Sequence, residues 1–304
     1  MDFSSVIEAL ELPTPDGLLL ACESVAGSGE RPAVLLAHGF GQTRQSWAGT
    51  QRRLHAAGHR SLAFDMRGHG QSQRNPDART YAADQFVEDL HRVADALPPG
   101  PVLVGASMGG LTGLLAQAQR PRFSALVLVD VTPHWESAGA ERIQRFMGAH
   151  PDGFADFDAA ADAIAAYLPH RRERKRPEQL RHLLRENAGR LHWHWDPRLL
   201  REFVLDGAAL QAQVAAATAR IDVPVLLISG GRSDLVSDRT VADFLARVPH
   251  ARHERLPEAT HMVAGDDNDA FADVLLRHLG AQSPSFPASA PEPLPPARAP
   301  EHGA

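Results

Sequence analysis

Ser107 stands at the apex of Gly105-Ala106-Ser107-Met108-Gly109, directly after the aliphatic run Val102-Leu103-Val104 and directly before an apolar, helix-compatible stretch with Leu111, Leu114 and Leu115. Strand, sharp turn and helix in that order strain the serine backbone and push Oγ out over the carboxyl edge of a parallel sheet. The flanking glycines are there because Cβ atoms would collide with the adjoining strand and helix. Such a serine becomes a nucleophile for acyl transfer when a base takes its proton, a further group orients the base, and donors meet the developing oxyanion. His261, in a loop after the last strand-like run and before the last helix, is the candidate base. Asp234 follows the preceding strand-like run by a short turn and is the candidate acid, since both would reach the same sheet edge.

These side chains need elements that end near one another. The runs Val6 to Leu12 and Leu18 to Val25, split by Pro13-Thr14-Pro15-Asp16-Gly17, predict an antiparallel hairpin. Continuous apolar runs at Ala33 to Ala37, Val102 to Val104 and Ala125 to Val129 predict strands covered on both faces, and a further strand is expected from Arg60 to Phe64. Helix-like stretches lie between them, from about Ser46 to Ala57 and from about Ala82 to Leu97. That alternation predicts an α/β fold with a parallel, doubly wound sheet. The rhythm breaks after Pro133. From His134 to about Ile221 there is no strand-like run, while Asp158 to Leu168, Glu178 to Ala188 and Arg198 to Ala219 have helical composition. The alternation resumes with Val223 to Ser229, a helix from about Arg239 to Val248, a strand Ala251 to Leu256 and a helix from about Asn268 to Leu279. The expected organisation is a first core part over residues 1–133, a helical cap with a connecting helix over 134–220, a second core part over 221–280, and a Pro/Ala-rich tail over 281–304. Seven prolines between Pro284 and Pro300 leave the tail too little apolar surface to order itself.

In this order the motifs resemble those of the α/β-hydrolase superfamily: His38-Gly39-Phe40-Gly41, Asp65-Met66-Arg67-Gly68-His69-Gly70-Gln71-Ser72, the elbow at Ser107, Gly230 to Asp234, and His261. The resemblance spans residues 15 to 279 or so. It implies a mostly parallel eight-stranded sheet flanked by helices, an antiparallel strand near its start, and an inserted helical cap over the active site. It also implies that the backbone N–H groups of Phe40 and Met108 form an oxyanion hole, that His38 braces the loop carrying Phe40, and that Asp65, Arg67 and His69 organise the sheet edge. Some members carry the acid after the strand that here ends at Asp130, so Asp130 is the alternative. Asp234 is preferred because Gly230-Gly231-Arg232-Ser233-Asp234-Leu235-Val236 looks like the usual acid-bearing turn.

The activity so implied is cofactor-independent hydrolysis of a small to medium carboxylic ester or lactone through a Ser-His-Asp triad and an acyl-enzyme. Members that hydrolyse carbon–carbon bonds of vinylogous diketones, or act as perhydrolases, use the same triad and stay open as alternatives, as does a receptor-like small-molecule binding protein. A serine at 107 argues against haloalkane dehalogenases and epoxide hydrolases, which use an aspartate.

Composition narrows the partners. With 31 Lys and Arg against 37 Asp and Glu the formal charge is −6, giving no basic excess for nucleic acid or an anionic membrane. The one basic cluster, Arg171-Arg172-Glu173-Arg174-Lys175-Arg176, reads as a solvated face. One cysteine, Cys22, allows neither an intrachain disulfide nor a thiolate metal cluster. No signal-like start and no stretch of about 18 apolar residues occurs, so a cytoplasmic location is expected; no oligomeric state is implied. His192-Trp193-His194-Trp195-Asp196 offers two imidazoles and a carboxylate, but histidines two apart do not share a helix face. An aromatic segment packing the cap or lining a pocket is the expectation there, with no metal and no cofactor.

Overall fold

The computed structural model describes residues 3–28, 31–168, 176–202, 207–263 and 268–282. β1 (Ile7–Pro13) and β2 (Leu19–Val25) form the expected hairpin, with Gly17 at φ 88° in its turn. There follow β3 (Val34–Ala37), α1 (Ala48–Ala56), β4 (Ser61–Phe64), α2 (Ala83–Ala94), β5 (Val102–Ala106), α3 (Met108–Gln119) and β6 (Ala125–Val129). After the inserted region come β9 (Val225–Gly230), α9 (Asp238–Arg247), β10 (Arg252–Leu256) and α10 (Asn268–Gln282). The eight core strands lie in the order β1-β2-β4-β3-β5-β6-β9-β10, with β2 antiparallel to both neighbours and the pairs from β4 to β10 parallel.

The unbroken apolar runs are explained by burial on both faces. Along β3, Leu35 and Ala37 enter one core layer while Val34 and Leu36 enter the other; in β6, Leu126 and Leu128 oppose Ala125, Val127 and Val129. α2, α3, α8 (Gly207–Thr218) and α9 supply side chains to the first layer. α1 and α10 cover the second, where Trp47 and Phe271 sit with ring centroids 5.9 Å apart. Because a parallel sheet aligns all its carboxyl ends, the loops after β3, β5, β6, β9 and β10 emerge on one edge.

The inserted region contains α4 (Ser137–Gly148), α5 (Phe157–Tyr167), the single turn α6 (Pro177–Leu180), α7 (Arg198–Glu202) and α8. It departs from the helical expectation for one stretch. Glu178 to Ala188 is not a helix: α6 stops at Leu180, and β7 (Leu184–Asn187) pairs with β8 (Arg190–Trp193) in a separate antiparallel hairpin. Its two-residue turn has Ala188 and Gly189 at φ 49° and 73°, the left-handed pair that such hairpins require. Helical composition there gives way to a glycine that breaks a helix and to cross-strand partners; Phe154 bridges Leu191 as well. The expected helix over Arg198 to Ala219 is described as α7 and α8, with residues 203–206 outside the described residues. Most of the basic cluster, residues 171–175, and the tail from residue 283 lie outside them too.

Candidate active site

The glycines of the elbow are required by packing. A Cβ on Gly105 would meet the backbone of Gly109 at 2.6 Å, and one on Gly109 would collide with the backbone of Ala37 and His38. With those two positions bare, α3 starts directly on the end of β5. Ser107 is then held at φ 46°, ψ −114°, a strained conformation for a residue with a side chain. Its N–H donates to the Val129 carbonyl at 3.0 Å, which pins the turn to β6.

His261 reaches the same edge, and the carboxylate it meets there is Asp130. His261 Nδ1–H donates to Asp130 Oδ2 at 2.7 Å. A carboxylate only accepts, so this bond fixes the proton on Nδ1 and leaves the Nε2 lone pair free. Asp130 is fully buried, at the end of β6 with φ 50°. The Gly230 N–H donates to Oδ1 at 2.8 Å and the Ser233 hydroxyl to Oδ2 at 2.6 Å. The structure does not bring Asp234, the acid preferred from the sequence, to His261. Its carboxylate turns away from His261 and pairs with Arg142 of α4 at 3.0 Å. Arg142 in turn donates to the Tyr167 carbonyl at 2.6 Å and lies 5.0 Å from the Tyr167 ring centroid, so Asp234 fastens the inserted helices to the core. The turn Gly230 to Asp234 serves the acid by supplying two donors. Ser233, one residue before the expected acid, was the signal available in the sequence.

Phe40 and Met108 present the two expected amides. Among the described residues neither N–H has a protein acceptor; Met108 opens α3, where the first amides have no intrahelical partner. The loop carrying Phe40 is held rigidly. Gly39 N–H donates to Gln42 Oε1 at 2.9 Å, and Gln42 Nε2 reaches Met262 Sδ at 3.5 Å, tying this loop to the one bearing His261. Gln42 and Met262 carried no sequence signal of that link.

Three buried imidazoles underlie the same loop. His38 Nε2 accepts from Met66 N–H at 2.9 Å while Nδ1–H donates to the Gly39 carbonyl at 2.8 Å, the bracing role expected of it. His194, from the inserted region, accepts from Gly70 N–H at 2.7 Å and donates from Nε2 to the Gly41 carbonyl at 3.1 Å. His69 lies between them, its centroid 5.1 Å from His38 and 5.9 Å from His194. The aromatic-segment expectation for 192–196 thus holds in outline: Trp195 packs against Phe40, centroids 5.1 Å apart, and Asp196 accepts from the Tyr81 hydroxyl at 2.9 Å. What the sequence did not show is that His194 is a core residue that clamps two loops. Asp65 and Arg67 are structural as well. Asp65 accepts from the N–H groups of Arg44 and Gln71 at 2.7 and 2.8 Å, and Arg67 binds Asp89 through two 2.6 Å bonds.

Burial holds all three histidines neutral. Loss of hydration pushes His38 below its ordinary value, His69 well below it, and His194 to about 3, and at His69 and His194 a neighbouring imidazole would also repel a charge. In the unfolded chain each binds a proton near pH 6.5. Below that pH the unfolded state holds more protons, so stability falls with falling pH until the folded values are reached. For His194 alone the loss between pH 6.5 and 4 is on the order of 3 kcal/mol. Melting temperature should decline steeply over this window, and His194→Gln should flatten the decline; an unchanged slope would remove His194 as its source.

Among the described residues, two cavities meet at Ser107. The larger, about 450 Å³, is lined by Ser107 and His261 together with Ile143, Phe146 and Tyr167 of the inserted helices. The smaller, about 140 Å³, shares Phe40, Ser107 and Ile143 with it and continues past Met108 and Leu111 toward Leu210 of α8.

An eight-stranded α/β sheet that presents a strained serine, a histidine and a buried aspartate at one carboxyl edge, under inserted helices, defines the hydrolase class of that architecture. Comparison with known proteins agrees. Residues 32–267 match the family model for the alpha/beta hydrolase fold, and the chain belongs to this family. It is 32% identical over 266 residues to the esterase Rv0045c of Mycobacterium tuberculosis, covering 84% of this chain and 85% of that one. Against the 3-hydroxybutyrate-oligomer hydrolase of Cupriavidus necator it is 31% identical, covering 82% and 89%. The crystal structure of an alpha/beta hydrolase from Novosphingobium aromaticivorans superposes with a TM-score of 0.73 at 26% identity, over 90% of this chain and 98% of that one. Among the described residues no helix is long and apolar enough to cross a membrane.

Proposed function

We propose that the protein hydrolyses small to medium carboxylic esters, including lactones, through an acyl-enzyme on Ser107. The observation that carries this reading is the His261–Asp130 bond, which sets the histidine tautomer at the edge where Ser107 is displayed. His261 Nε2 takes the Ser107 proton as Oγ bonds to the substrate carbonyl carbon, and the oxyanion is met by the amides of Phe40 and Met108. The carbon–alkoxy bond then breaks and His261 returns the proton to the leaving oxygen. A water, deprotonated by the same histidine, hydrolyses the acyl-enzyme and restores the Ser107 hydroxyl. In a lactone the leaving alcohol stays tethered to the acyl group. Asp130 keeps its negative charge throughout and stabilises the imidazolium. Relatives named as an esterase and as an oligomer hydrolase support the ester class.

The test is covalent trapping. Incubation with a fluorophosphonate should abolish turnover of an aryl butyrate and add one phosphonyl group, mapped by mass spectrometry to the peptide containing Ser107. Turnover that survives complete labelling, or a label on a different residue, would defeat the proposal.

A further inference from the structure

Resting on the serine-hydrolase reading above, we propose that the site is directional. The acyl group lies in the smaller cavity beside α8 and the alcohol in the larger one beneath α4 and α5, so the substrates served best join a short acyl chain to a bulky alcohol.

The direction follows from where His261 is exposed. Ser107 and Phe40 line both cavities, so the nucleophile stands at their junction. Once the carbonyl oxygen faces the amides of Phe40 and Met108, the two remaining substituents of the carbonyl carbon must diverge into different spaces. The leaving oxygen needs the proton that His261 has taken, so the alcohol must lie on the histidine's side. His261 and its neighbour Met262 line the larger cavity and not the smaller one. The water of the second step has to meet the same nitrogen, and it can do so only through space the alcohol has left. Meanwhile the acyl group is still bonded to Ser107 and must be lodged elsewhere. The smaller cavity is that place.

The walls and volumes then set the substrate class. Leu111, Val131, Trp135, Leu210 and Leu235 make the smaller cavity largely apolar. At about 140 Å³ against about 450 Å³ for its neighbour, it takes the shorter of the two substituents. The larger cavity has about three times that volume, and mixes Ile164, Tyr167 and Trp193 with Gln42, Ser46 and Gln179. It suits a ring-bearing or branched alcohol that carries polar groups of its own.

The experiment is a matrix of kcat/KM values for the full chain: 4-nitrophenyl esters with acyl chains from acetyl to decanoyl, and butyrate esters of ethanol, phenol and naphthol. Two variants accompany the wild type, Leu210→Trp in the smaller cavity and Leu183→Trp in the larger. Wild type should prefer short acyl chains and lose about 10-fold or more by decanoyl, with no comparable penalty for naphthol. Leu210→Trp should move the acyl optimum toward acetyl and leave the order of alcohols unchanged; Leu183→Trp should do the reverse. Exchange of the two effects would overturn the orientation, as would a wild-type rate that climbs to decanoyl. The wild-type profiles decide the question even if a variant does not fold. Ser107→Ala separates the two levels: activity that persists in it defeats the serine reading itself, whereas activity lost in it with exchanged preferences defeats only the orientation.

Discussion

Ser107→Ala is expected to lower kcat on an aryl ester by about 10⁴ to 10⁶ while the melting temperature stays within a few degrees of wild type. The size of the loss follows from the unit the serine belongs to. Without Oγ no acyl-enzyme forms, and His261 and the amides of Phe40 and Met108 are left to assist direct attack by water, which retains only a small part of the advantage. Folding should be spared because alanine keeps the backbone hydrogen bond from residue 107 to Val129 and removes no buried partner of another group. A stopped-rate assay sensitive to 10⁻⁵ of the wild-type rate, run beside thermal unfolding, checks both parts. Retention of more than a tenth of the activity would dismiss Ser107 as the nucleophile.

The second large effect belongs to Asp130. Asp130→Asn should cost about 10⁴ in kcat, because an amide can offer N–H to His261 Nδ1 and so favour the tautomer whose Nε2 already carries the proton. Asp234→Asn, by contrast, alters a partly exposed pair with Arg142. Such pairs contribute about 0 to 1 kcal/mol, and kcat should stay within about 10-fold of wild type. Measuring the two variants side by side makes the assignment decisive: equal losses, or the larger loss at Asp234, would move the acid back to Asp234.

Much of this was legible in one dimension because it rests on local rules. Glycines at 105 and 109 around a serine, between an aliphatic run and a helix, dictate the elbow through backbone sterics. The doubly buried strands β3, β5 and β6 show as unbroken apolar runs because no position along them faces water. His38 could be read as a brace for the same reason, since it sits beside the loop that it supports. The hairpin β7–β8 was not legible. β7 lies within the stretch Glu178 to Ala188 of helical composition, and the turn at Ala188 and Gly189 and the bridge from Phe154 favour the strand instead.

The sequence by itself determined the elbow that carries Ser107, the place of His261 in the loop after the last strand, and the α/β frame, because each depends on neighbours within a few residues or on the pattern of a single element. Tertiary structure alone decided which carboxylate serves His261. Asp130 and Asp234 both follow strands that end on the same edge, and spacing cannot say which way a side chain turns. Asp130 is enclosed by the Gly230 amide, the Ser233 hydroxyl and His261, whereas Asp234 finds a guanidinium supplied from 92 residues away. Tertiary structure also drew His194 beneath the loop that carries Phe40 and set two unequal cavities side by side at Ser107. Those outcomes depend on how the inserted helices pack against the core, and long-range packing leaves no period or motif in the chain.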